Sequence, residues 1–369
     1  MCIPIIDLKA QYKQVQTETE EAVLNVLRSG HYILGPEGNS LEQEIASYLD
    51  VKHALAVNSG TTALHLALAA AGVSSGDEVI TTPFTFIATA EAISYLGAVP
   101  VFVDIDPDTY CMDPLKIKEK ISSRTKAIIP VHLYGHSVDM DPIVRIASQY
   151  GLKIIEDCAQ SIGTTYKGQK VGGIGDFGCF SFFPTKNLGA AGEGGLITTN
   201  NSDYYHLLKG LRVHGSWERY NHKAIGYNAR LNEIQCSVLR VKLRYLDQWI
   251  TKRVEHAAQY NKLLDKLPVG TPITAGYSNH VYHQYAINID SVSRDSVLSH
   301  MSNNNISCAV HYPKPIHLQD SYRFLGLARG DYPISEKSSS RVLSLPVYPE
   351  LTENQICKIV EVLKGAFHE

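Results

Sequence analysis

No CxxC pair, no basic excess and no long uninterrupted apolar run occurs in these 369 residues, and each absence closes off a class of protein. The seven cysteines, at 2, 111, 158, 179, 236, 308 and 357, are odd in number and scattered. They read as the reduced thiols of a cytosolic protein and not as a disulfide framework, so the expected location is the cytoplasm. Lys and Arg number 34 against 37 Asp and Glu, for a formal net charge of −3. That balance gives no reason to expect nucleic acid or a membrane as partner. The opening MCIPIIDLKAQYKQV has no basic segment followed by an apolar one, so no secretory signal is expected. Two charge-poor stretches, 54–76 and 79–103, are broken by NSGTT and by Pro83 and Glu91. Each reads as strand, turn and helix, not as a membrane span. His280 and His283 form a close histidine pair; core or surface histidines account for it, and no metal site is expected.

Nucleotide-binding loops are missing as well. No GxxxxGK[ST] occurs, and GIGDFG at 173–178 spells GxGxxG in the wrong context. It leads into a strand instead of following one and opening a helix.

What is present is alternation. Helical patterns at 13–28 and 38–49 precede HALAV (53–57), a helix from about 61, EVITT (78–82), a helix over 86–97 and VPVFVDI (99–105). KAIIPVHLYG (126–135) is strand-like, followed by a helix at 141–150 and LKIIED (152–157). Short apolar runs separated by helices predict a parallel α/β sheet covered on both faces. A long helical region is expected past 203, with two helices or one bent helix over 230–267. After it come NHVYHQYAINI as a strand, a helix at 295–304, SCAVHYP as a strand and a last helix at 353–366. The length suits about two domains, with a boundary near 240–250.

Open α/β sheets bind ligands beyond the carboxyl ends of their strands, and four segments place polar or aromatic groups there. In NSGTTALHLAL (58–68), small residues and a helix start can hold a phosphate; an ordinary N-cap explains the same residues. In PFTFIATAEAI (83–93), Phe84 or Phe86 emerges after a strand, as a plate for a ring or as core. Asp157 of IIEDCAQS ends a strand, where a buried carboxylate needs a partner: a heterocyclic nitrogen or a helix start. In CFSFFPTKNLGAAGEGGLITTN (179–200), Lys186 stands among apolar residues and glycines, five residues after Ser181. A lysine in low dielectric loses proton affinity and becomes a nucleophile, unless it snorkels to the surface. Together these are the parts that hold pyridoxal phosphate.

With those residues in place, the chain resembles the DegT/DnrJ/EryC1/StrS family of nucleotide-sugar aminotransferases, pyridoxal-phosphate enzymes of fold type I. The similarity runs from IPIIDLKAQY and GHYILGPEG to RVLSLPVYPEL (341–351), in spacing as well as residue type. It implies an α/β fold with a large domain over 1–245, built on a mostly parallel seven-stranded sheet between helices. A smaller C-terminal α/β domain over 246–369 follows. It implies Lys186 as the catalytic residue that carries pyridoxal 5'-phosphate. Ser181 and the backbone of Gly60, Thr61 and Thr62 would hold the phosphate, Asp157 the ring nitrogen, Gln160 the ring hydroxyl and Phe86 the ring face. Asn228 of IGYNARLNEIQ would reach the neighbouring subunit's cofactor, and Arg230 would meet substrate, which implies a homodimer with shared active sites. HYPKPIH (311–317) resembles a substrate-side segment, offering His311 and His317.

Two departures count. Cys236 stands where the family usually has alanine. Lys186 is kept where the family's dehydratases have histidine, which points to transamination. The implied reaction moves an amino group from L-glutamate to the keto group of a nucleotide-linked sugar. A keto-cyclitol substrate, a pyridoxal-phosphate dehydratase and a cofactor-binding regulator are the alternatives. The loops YGHSVDMD (134–141) and HGSWERYNHK (214–223) are expected to shape the pocket; the carbon and the nucleotide stay open.

Overall fold

Short runs of small and β-branched residues make the strands, and their unbroken apolar character follows from cover on both faces. The computed structural model describes residues 2–367. Helices α1 (Leu8–Ser29) and α2 (Pro36–Leu49) precede β1 (His53–Val57), α3 (Gly60–Ala70), β2 (Glu78–Thr81), α4 (Ala88–Ser94) and β3 (Val99–Phe102). Then come β4 (Thr125–Ile128), α5 (Met140–Tyr150), β5 (Lys153–Asp157), the short β6 (Thr165–Tyr166) and β7 (Gln169–Lys170), β8 (Phe177–Ser181) and β9 (Gly195–Thr199). The sheet runs β1-β9-β8-β5-β4-β2-β3. Only β9 opposes its neighbours; the other pairings are parallel. The carboxyl ends of β1, β2, β4, β5 and β8 therefore share one edge. Helix α3 (GTTALHLALAA) is apolar nearly all round because it is sandwiched against the sheet, burying Leu64, Leu66 and Leu68.

The second half begins with α6 (Ser202–Leu211), the hairpin β10 (Ser216–Glu218) and β11 (Asn221–His222), α7 (Glu233–Leu243) and α8 (Leu246–Leu264). It ends with β12 (Val269–Gly270), β13 (Ser278–Asn279), β14 (Tyr285–Ile289), α9 (Arg294–Asn303), α10 (Pro333–Arg341), β15 (Val342–Leu345) and α11 (Glu353–Gly365). Strands β12, β14 and β15 make a small antiparallel sheet. Its core gathers Ala257, Tyr260, Tyr285, Ile287, Leu343, Ile356 and Ile359. Leu246 still packs on the large core, so α8 crosses from one core to the other. Ile3 joins the second core from the far end of the sequence, exchanging backbone bonds with Asn305 and Ser307 at 2.9 Å each.

Several expected elements are shorter or different. The strand expected over 126–135 stops at Ile128. Pro130 has no N–H to continue the ladder, and its carbonyl is taken by the Asp157 amide at 2.9 Å. SCAVHYP pairs only at Ala309, with Ser344. NHVYHQYAINI splits, its middle bonding across to Gly135 through the Val281 amide. The helix expected over 86–97 covers Ala88–Ser94. The hairpin at 216–222 interrupts the region past 203 that reads as helical, and α7 and α8 are two helices, parted at Arg244 and Tyr245.

GIGDFG does hold an anion, but an internal one. The fully buried Glu156 carboxylate accepts from the amides of Gly172 (2.9 Å), Ile174 and Gly175 (2.8 Å each) and faces His132 Nε2 at 3.0 Å. His132, Glu156 and Cys158 are the one group of three possible metal ligands among the described residues. His132 Nδ1 already accepts from the Val138 amide, so the group reads as a structural knot. His280 and His283 are both buried, and His280 stacks on Tyr282 at 4.0 Å. Removing the carboxylate leaves one buried and two part-buried amides unpaired, and an unpaired buried amide costs about 1–3 kcal/mol. Glu156→Ala should therefore lower stability by at least about 1 kcal/mol in chemical denaturation; an unchanged stability would contradict the knot.

Candidate active site

The shared carboxyl edge opens into a cavity of about 470 Å3, and the strand ends supply its walls. After β1, Ser59 caps α3: its Oγ accepts from the Thr62 amide at 3.0 Å. The amides of Gly60 and Thr61 keep their free donors at the positive helix end. Gly60 is required here, since a Cβ would come 2.7 Å from Ser181 Cβ. The close approach sets Ser181, at the end of β8, beside the helix start. Thr62, by contrast, has spent its amide on Ser59 and lines a neighbouring hollow.

After β2 the two aromatics part. Phe84 is fully buried against Tyr110 and Tyr134, while Phe86 stays 55 % exposed and turns its ring to the cavity. At the end of β5, the buried Asp157 carboxylate accepts from Thr89 Oγ1 at 2.8 Å and the Ala159 amide at 3.1 Å. Burial raises its pKa, opposed by those two bonds and by Lys186. Gln160 is fixed at both ends, accepting from the Tyr134 amide (2.8 Å) and donating to Tyr312 Oη (3.0 Å).

Lys186 follows β8 and points into this cavity. Its Nζ bonds to no described residue. Burial lowers its pKa to about 8, with the Asp157 charge pulling the other way. His311 also lines the cavity, its Nδ1 3.2 Å from Ser344 Oγ; burial and then Lys186 push it down to about 4. His283, pushed well below the usual range for the same reasons, stands beside it as a second neutral imidazole.

The structure thus brings together Gly60, Thr61, Phe86, Asp157, Gln160, Ser181, Lys186 and His311. Asn228 and Arg230 lie outside. Arg230 grips Asn228 Oδ1 (2.6 and 3.1 Å), and Asn228 lines the hollow shared with Thr61, Thr62 and His65. His317 is a correction: it is buried away from the cavity, paired to Glu336 at 3.0 Å and packed on Tyr332, where it braces a turn. No residue of 134–141 or of 214–223 lines the cavity either. Thr89, Tyr312 and His283 are site residues the sequence reading missed. Only Thr89 had a local signal, one helical turn from Thr85 in the PFTFIAT segment.

A family model for the DegT/DnrJ/EryC1/StrS aminotransferases matches residues 13–364. The chain belongs to that family. A curated relative from Geobacillus stearothermophilus, named a pleiotropic regulatory protein, is 46% identical over 98% of this chain and 97% of its own. One from Acidithiobacillus ferrooxidans, named UDP-N-acetyl-3-dehydro-alpha-D-glucosamine 3-aminotransferase, is 45% identical over 99% and 98%. The crystal structure of DesV from S. venezuelae, solved in complex with a ketimine intermediate, superposes with a TM-score of 0.96 at 40% identity, covering 99% of this chain and 98% of that one. The architecture of this aminotransferase is therefore the family's α/β fold.

The cavity fits pyridoxal phosphate on its own terms: two free helix-start amides with a serine, a buried carboxylate, an aromatic face and an unpaired amine. A lysine that gives up its proton near pH 8 is a tenth neutral at pH 7. Covalent capture of pyridoxal phosphate by the cofactor-free protein should accelerate about tenfold per pH unit below 8 and level off above it. Borohydride trapping of the adduct measures the rate; a flat profile from pH 6 to 9 would contradict the depressed amine.

Proposed function

We propose that this protein transfers an amino group from L-glutamate to the C3 keto group of a nucleotide-linked hexose, using pyridoxal phosphate. The observation that carries the reading is the pairing of an unbonded, pKa-lowered Lys186 amine with a buried Asp157 carboxylate in one cavity. Solved neighbours of the same fold are named in PMP-bound and PLP forms. The carbon follows the relatives: besides the A. ferrooxidans enzyme, those from Streptomyces venezuelae and Aneurinibacillus thermoaerophilus are named as transaminases of dTDP-linked 3-amino sugars.

When bound, the cofactor supplies an aldehyde that carries nitrogen and a conjugated ring that takes up electrons. Lys186 is the residue that would hold it covalently. The freed amine, about a tenth neutral at pH 7, would take the proton from the donor Cα as base and give it back as acid. Asp157, oriented by Thr89 and the Ala159 amide, accepts from the ring nitrogen and keeps it protonated. Phe86 covers a ring face, and Gln160 holds the ring hydroxyl. Ser181 with the Gly60 and Thr61 amides binds the phosphate. His311 stays neutral at working pH and can hydrogen-bond a sugar hydroxyl through the nitrogen not facing Ser344.

Asn228 and Arg230 are assigned to a second copy's cavity, in a homodimer with shared sites. Their place outside this chain's own cavity supports that reading. The seven unpaired thiols support a cytoplasmic location, and no described helix is long and apolar enough to cross a membrane.

A panel of UDP- and dTDP-linked 3-keto and 4-keto hexoses, each with L-glutamate, tests the substrate. The 3-keto sugars should yield one 2-oxoglutarate per amino sugar, with nitrogen at C3 by NMR, and Lys186→Ala should abolish the product. Amination at C4 alone, or turnover that consumes no donor, would refute the assignment.

A further inference from the structure

The loop that carries Lys186 is held from behind as well as facing the cavity. It folds tightly on itself: the Lys186 amide donates to Phe183 O (2.9 Å) and the Ala190 amide to Phe182 O (2.8 Å). Gly189 packs directly on the Pro184 carbonyl, where a Cβ has no room. Three side chains then tie the loop to the rest of the molecule. Asn187 Nδ2 reaches Val281 O at 3.2 Å, Lys242 Nζ donates to Gly189 O at 2.8 Å, and Gln235 Oε1 accepts from the Ala191 amide at 2.7 Å.

The last two anchors are on α7, two turns apart, and α7 is itself bolted down. Glu233 at its first turn accepts from the amides of Glu37 and Gly38, and Arg240 pairs with Glu37 and Glu44. The loop therefore takes its position from a rigid helix.

Lys242 is the more telling anchor. Burial lowers its pKa to about 8, with Glu350 opposing, so keeping a cation there costs proton affinity. A methionine would fill the space without that cost. What lysine adds is the bond to Gly189, three residues from Lys186.

We propose that Lys242 and Gln235 are positioning residues that hold the Lys186 loop in one register, so that the amine meets the carbonyl of its cofactor in a fixed geometry at each turnover. This rests on Lys186 being the reacting amine. The anchored loop makes approach to the carbonyl an oriented, intramolecular event, and a displacement of about 1 Å can cost a hundredfold in rate.

The test compares wild type, Lys242→Met, Gln235→Met and the conservative Lys242→Arg, all as full-length protein. Three readouts are taken: the rate of covalent capture of pyridoxal phosphate by cofactor-free protein, kcat against KM for the keto sugar, and melting temperature without cofactor. Lys242→Met should capture cofactor and turn over about ten- to a hundredfold more slowly, with KM within about twofold and the cofactor-free melting temperature nearly unchanged. Lys242→Arg, which still donates to Gly189, should recover most of the capture rate, and Gln235→Met should fall between. Wild-type capture and kcat in both methionine variants would overturn the proposal. So would a loss that follows the melting temperature and is not rescued by arginine, since that marks a merely structural contact. A wild-type protein with no trappable adduct would remove the Lys186 assignment itself, and this inference with it.

Discussion

Desolvation of one amine and one carboxylate at the same sheet edge is the constraint on which the rest of this structure turns. Burial acts on the two groups in opposite directions, lowering Lys186 and raising Asp157. Left alone, it would neutralise both and leave nothing to orient a charged ring. The surrounding structure answers unequally. Asp157 receives two hydrogen bonds that favour its charge, from Thr89 and the Ala159 amide, whereas Lys186 receives none. The result is a carboxylate whose charge two donors support against burial, in one cavity with an amine that has no such support.

That asymmetry is built by topology. Because the strands of the central sheet other than β9 run in one direction, residues far apart in sequence finish on one edge. Ser59 and Gly60 arrive from β1, Phe86 from β2, Asp157 from β5 and Lys186 from β8. Each sits at the end of its strand or within five residues after it, where backbone direction is set by the sheet.

The same fact explains what could be read from the sequence. Lys186, Asp157, Ser181, Gly60 and Phe86 were legible because each lies beside a recognisable strand or helix start. Tyr312 and His283 were not, since they enter from the second half of the chain across a contact that no local pattern announces. His317 misled for the complementary reason. It lies within the same short segment as His311, yet the chain turns between them and gives it to Glu336 and Tyr332 instead of the cavity. Strand boundaries slipped where one residue outweighed a run: with Pro130 two residues on, β4 ends at Ile128, although the apolar pattern continues to Leu133. The hairpin at 216–222 is largely exposed and carries no period of either kind, so nothing marked it.

Ile3, which threads between Asn305 and Ser307, has a consequence for synthesis on the ribosome. Its partners are translated after most of the polypeptide has already emerged, so this short stretch must wait unpaired while the central sheet assembles. Closing so distant a contact is slow relative to local structure. The second core thus joins Ile3 to residues as late as Ile359 and Leu363, and it cannot be complete until those have been made.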